Sequence, residues 1–138
     1  MRFFGRFGEF NDIKNEIRWF FQRGTKGYCD KDIWELNTWF ATTFPHMLTE
    51  LSEKTLSYPP GFDTFDPDDK DGGGLNSQII PEEKFEEEFL AWKAALKEAA
   101  DQFAATGGYI AGRPSEKEKR NRDKAFEFVR KYFYELWW

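Results

Sequence analysis

Residues 81–103, PEEKFEEEFLAWKAALKEAADQF, decide the fold. Phe85, Phe89, Trp92, Leu96, Ala99 and Phe103 recur at steps of three or four, which lines one face of an α-helix. Pro81 suits the first turn, where its missing N–H is not needed, and Glu82 and Glu83 favour the positive end of the helix dipole. Gly107-Gly108 supplies the stop. The same period continues on both sides. Upstream, Ile33, Leu36, Phe40, Phe44, Met47, Leu48 and Leu51 form the stripe of a helix that starts at Asp30 or Asp32, and Asp32 with Glu35 has capping-box spacing. Pro45 lies inside that stripe. It lacks an N–H and crowds the preceding turn, so a kink or break is predicted near Phe44, with Thr42 or Thr43 available to recap the second half. Farther upstream, Phe10, Ile13, Ile17, Phe20 and Phe21 predict a first helix, capped by Asn11 or Asp12 and ended by Gly24. An aromatic arm over residues 1–10, with Phe3, Phe4 and Phe7, precedes it. Its apolar character is expected to fold it back or exchange it with a neighbouring copy.

Downstream, Ser115 and Glu118 form a second capping box, and the last helix turns Ala125, Phe126, Val129, Tyr132, Phe133 and Leu136 inward. Residues 56–80 follow no period: Tyr58-Pro59-Pro60-Gly61-Phe62 is stiff, and the stretch from Asp66 to Gly74 is rich in Asp and Gly. The expectation is an all-α, four-helix bundle-like single domain over residues 1–138, with a Pro-kinked second helix and a long acidic surface loop.

Composition narrows the function. A chain of 138 residues fits one domain by the prior of roughly 100–200 residues, and can bury about 68–70% of its unfolded surface. One Cys permits no internal disulfide, and one Cys with one His makes no Cys/His zinc set. No apolar run approaches the ~20 residues of a membrane span. No signal peptide is visible, so the cytoplasm is the expected compartment. Aromatics reach 20%. Charge is uneven: residues 1–31 carry seven Lys/Arg against four Asp/Glu, residues 63–88 two against ten, and residues 113–124 six against three. Such blocks serve mainly as solvated or mutually attracting faces. The sharper alternative gathers Arg2, Arg6, Arg23, Lys26, Arg113, Lys119 and Arg120 around an anionic ligand. With a pI of about 5.0, duplex nucleic acid is a poor partner.

Motif chemistry is thin. With Gly72 at the sixth position of a calcium loop, Asp69 and Asp71 fit, but Pro67 and Gln78 fall at the two anchors. His46 has Thr42 and Glu50 one turn away on either side, an arrangement that suits a structural histidine more than a general base. Cys29 is followed by Asp30, which opposes a thiolate. The carboxylates of Glu82, Glu83, Glu86, Glu87 and Glu88 crowd one solvated face, with no apolar pocket to separate their pKa values. No phosphate-binding glycine loop is present. The remaining signal is aromatic: Trp19, Trp34, Trp39, Tyr28, Tyr58, Tyr134, Trp137 and Trp138 stand off the stripes or at ends. Such rings suit a protein or self-association interface, or stacking on bases.

The segment Gly27-Tyr28-Cys29-Asp30-Lys31-Asp32-Ile33-Trp34-Glu35-Leu36 is followed by Phe44-Pro45-x-Met47-Leu48, Ser57-Tyr58-Pro59 and Lys131-Tyr132-Phe133-x-x-Leu136-Trp137. This order resembles a group of small tailed-bacteriophage proteins carrying G-[YW]-x-D-x-x-x-W-x-L, P-x-L, G-Y-P and a closing K-Y-F-x-x-L-W. Ser57 stands where Gly is common in that group, and the Asp/Gly insert at 63–74 is unusual for it. The resemblance supplies no catalytic residue and no cofactor. It implies a non-enzymatic phage accessory protein that counters host defence by binding. In its most concrete form this is an oligomeric sponge for a phosphate-bearing nucleotide, with Tyr28, Trp34 and Tyr58 stacking and Arg23, Lys26 and Arg113 on phosphates. The alternative is an inhibitor of a host defence or nucleic-acid-processing complex that uses its acidic middle as a mimic, or an assembly factor.

Overall fold

The computed structural model describes residues 5–59, 82–106 and 113–137, with side chains described from Asp12 onward and, in the middle segment, from Lys84 onward. Every regular element among them is helical: α1 (Gly5–Lys26), α2 (Asp30–Trp34), α3 (Leu36–Lys54), α4 (Glu82–Ala104) and α5 (Glu116–Tyr132), followed by a 3-10 turn at Phe133–Glu135. The fold is all-α and bundle-like, as the periodicity predicts. The chain divides into two compact units, residues 1–39 and 40–138. Phe3 and Phe4 of the arm, the Asp/Gly stretch at 63–74, Pro81, Gly107-Gly108 and Trp138 lie outside the described residues.

The second unit is built on the stripe that opened the sequence reading. Trp92, Leu96, Ala99, Ala100 and Phe103 of α4 are buried, together with Leu48 of α3 and with Ala125 and Tyr132 of α5. Helices α4 and α5 run antiparallel, because Phe103 meets Phe126 (ring centres 5.1 Å apart) while Trp92 meets Tyr132 (5.2 Å). Phe40 and Phe44 of α3 close over Phe103 at 6.1 and 5.0 Å. Each large apolar side chain removed from water here contributes about 1.5–3 kcal/mol. Ser115 caps α5 in the predicted capping box: its hydroxyl accepts from the Glu118 N–H, and Glu118 accepts the Ser115 N–H at 2.6 Å. Four residues expected inward in this unit are not buried: Phe85 and Phe126 are partly exposed, and Met47 and Phe133 more so. Phe128, absent from the predicted stripe, instead stacks on Trp92 at 5.8 Å.

Of the kink or break expected near Phe44, the break does not occur. Helix α3 runs through Pro45, which is buried with Ala41, Leu48 and Ser52. A mid-helix proline costs about 3 kcal/mol. Phe44 and Leu48, before and after it, both pack into the same core, and their burial offsets that cost. The interruption falls at Glu35 instead, whose backbone leaves the helical region (φ −124°, ψ 47°) and separates α2 from α3.

The first unit departs further from expectation. Helix α1 begins at Gly5, so residues 5–10 belong to a helix and Asn11 and Asp12 do not cap it. Gly24 does not end it either. The stop is Gly27, which takes the left-handed conformation (φ +80°) and donates its N–H to the Arg23 carbonyl at 3.0 Å. A Cβ added at Gly24 meets nothing within 4 Å, and its backbone is ordinary helix. The two glycines therefore respond oppositely to alanine. Gly24→Ala raises stability by up to about 1 kcal/mol through helix propensity, whereas Gly27→Ala lowers it by about 1–2 kcal/mol through the left-handed strain. Urea denaturation followed by circular dichroism measures both.

Candidate functional site

In the first unit a polar cluster joins α1 to α2. The Asp32 carboxylate accepts the Cys29 backbone N–H at 2.8 Å, which satisfies an amide at the start of α2. The same carboxylate takes both arms of the Arg23 guanidinium, at 2.7 and 3.2 Å. Beside it, Asp30 receives Arg18 Nη2 at 2.6 Å and Gln22 Nε2 at 3.0 Å, while Gln22 Oε1 accepts the Asp30 N–H at 3.0 Å. Lys31 Nζ lies 5.4 Å from the centre of the Trp19 ring. The sequence reading made Asp32 the N-cap with Glu35 as its partner. The structure shifts the cap back three residues to Cys29, with Asp32 in the role expected of Glu35.

This geometry turns α1 inside out. Arg18, Gln22 and Arg23 point at α2. At 100° per residue, Ile13, Ile17 and Phe20 sit on roughly the opposite side of the helix. Ile13 and Ile17 are 55% and 54% exposed, Phe20 73% and Phe21 64%. On the segment around α2, Tyr28, Ile33, Trp34 and Leu36 are also half exposed or more, and Trp34 reaches 88%. The core expected of Ile33 and Leu36 is not there. Cys29 is buried, as suits a quiet thiol.

Of the residues expected to hold a ligand, four lie in this unit. Lys26 and Tyr28 flank Gly27 in one exposed turn, and Trp34 is open to solvent. Arg23 is committed to Asp32. The other two, Tyr58 and Arg113, lie in the second unit and are not brought together. Tyr58 packs beside Phe85 and Phe89 in the first turns of α4, with ring centres 6.1 and 6.3 Å away. Arg113 precedes the Ser115 cap of α5, and α5 begins at the far end of α4, where Asn121 Nδ2 donates to the Ala105 carbonyl at 3.2 Å. Most of the length of α4 separates them.

The environment of Tyr58 holds a pair that the sequence reading missed. Its hydroxyl and Glu88 Oε2 are both buried, and among the described residues the only polar group acting on the phenol is that carboxylate. Burial, and after it the Glu88 carboxylate, pushes the Tyr58 phenol above its ordinary value. Glu88 is expected on a solvated face with Glu82, Glu83, Glu86 and Glu87; Glu86 and Glu87 are exposed, Glu88 is partly buried, and the side chains of Glu82 and Glu83 lie outside the described residues. An open groove between α4 and α5 is floored by Ala95, Ala99 and Phe128, and is edged by Glu98, Asp123 and Glu127 with Lys124. Three carboxylates against one ammonium do not attract a phosphate. His46 is exposed, and the Glu50 carboxylate one turn on bonds Lys54 at 2.9 Å. Among the described residues no three His, Cys, Asp or Glu side chains converge on a metal position. The cations pair locally as well: Lys119 meets Glu116 at 2.6 Å, Arg122 meets Asp123 at 2.6 Å and Arg130 meets Glu127 at 2.8 Å.

The Arg23 guanidinium, with the Cys29 N–H, holds the Asp32 carboxyl well below the usual aspartate range. A depressed folded value means that its stabilisation is complete above the ordinary value near 4 and is lost as pH falls below it. Asp32→Asn is therefore expected to lower stability by about 1 kcal/mol at neutral pH, the weight of a helix cap. It also flattens the acid-induced loss of stability that the parent protein shows below about pH 4. Urea midpoints at neutral and acid pH measure both effects, and an equally steep acid loss in Asp32→Asn contradicts the assignment.

Comparison with protein-family models, with curated proteins and with solved structures finds no match to this chain. The functional reading rests on the chain's own residues.

Proposed function

We propose that this is a non-enzymatic binding protein that acts by docking on another protein through the segment around α2. In the setting implied by the resemblance to phage proteins, the partner is a component of host defence. One observation carries this reading: Trp34, 88% exposed, stands among Tyr28, Ile33 and Leu36, each half exposed or more. Tryptophan and tyrosine anchors on a rigid element are the side chains that dominate protein interfaces once desolvated. Here the element is held by the Asp32 and Asp30 contacts to α1, so little ordering is left to be done on binding. In the second unit Trp92 and Phe103 are consumed by the core, while Phe133, Tyr134 and Trp137 at the C-terminal end are exposed without the ion-paired scaffold that holds α2.

The nucleotide reading is kept as the second, on the observation that Lys26 and Tyr28 share one exposed turn, where an ammonium and a ring can meet a phosphate and a base. Native mass spectrometry of gently purified protein separates the two, since a sponge retains a small molecule that is released on denaturation. The mimic reading draws on residues 63–88, of which 63–81 lie outside the described residues.

The test compares the parent protein with Trp34→Ala and with the double variant Tyr28→Ala, Ile33→Asp. It uses a bacterial host whose defence the parent protein suppresses. Both variants are expected to keep their helical content and to lose that suppression, with partner capture weakened at least about tenfold. Full suppression by the double variant contradicts the docking surface.

A further inference from the structure

We draw no further inference here: the strongest candidate, the outer face of α1 that carries Ile13, Ile17, Phe20 and Phe21, is apolar and exposed, and nothing among the described residues shows what covers it.

Discussion

The Asp32 carboxylate is the contact on which the first unit turns. It takes the amide at the start of α2 and both arms of Arg23 from α1, so one side chain at once caps a short helix and anchors a long one. A five-residue helix has too few internal hydrogen bonds to persist alone, and α2 holds its form because its orphan amide and its orientation share that acceptor. Asp30 adds Arg18 and Gln22 from the neighbouring turns of α1. The consequence is directional. Polar contacts occupy the inner side of α1, and the apolar stripe is left on the outer side. A helix pair held by ion pairs gains little from them when they are exposed to water, about 0–1 kcal/mol each. The larger favourable term available to α1, burial of Ile13, Ile17, Phe20 and Phe21, is not yet used within the unit.

The second unit follows the opposite logic. Its apolar stripes face one another, with α4 and α5 antiparallel and α3 laid over Phe103, and its charged residues pair along single helices. Both units also display rings outward: Phe20, Phe21, Tyr28 and Trp34 in the first, and Phe133, Tyr134 and Trp137 at the C-terminal end of the second. In the first unit Phe20, Phe21 and Trp34 are held on helices and Tyr28 on the turn between them, and the neighbouring cations Arg18 and Arg23 are matched by carboxylates.

How much was legible depended on whether a signal was local. The α4 stripe and the Ser115–Glu118 box could be read directly, because period and capping spacing need no tertiary knowledge. The all-α class followed from the same period. Whether Pro45 breaks or only bends its helix could not be read, because the proline penalty is fixed while the burial that offsets it depends on what Phe44 and Leu48 meet. Gly24 and Gly27 look alike in sequence, and only the backbone conformation tells which ends the helix. Asp32 presents the same ambiguity, since a capping acid can serve as N-cap or as the third residue of the first turn. Of the aromatics that stand off the stripes in sequence, Tyr28 and Trp34 are exposed. Tyr58 stands off the helical stripes in sequence, and nothing in its neighbourhood of prolines announces Phe85, Phe89 or the buried Glu88 carboxylate. Those contacts join residues about thirty positions apart. An apolar stripe in sequence also does not say which way it faces, and for α1 it faces away from its neighbour.

The most direct measurement is amide hydrogen exchange, residue by residue, in the parent protein and in Asp32→Ala. If the Asp32 carboxylate holds the first unit together, the Cys29 amide and the amides of α2 lose their protection in Asp32→Ala while those of α4 and α5 keep theirs. Unchanged protection at Cys29 and through α2 would contradict it.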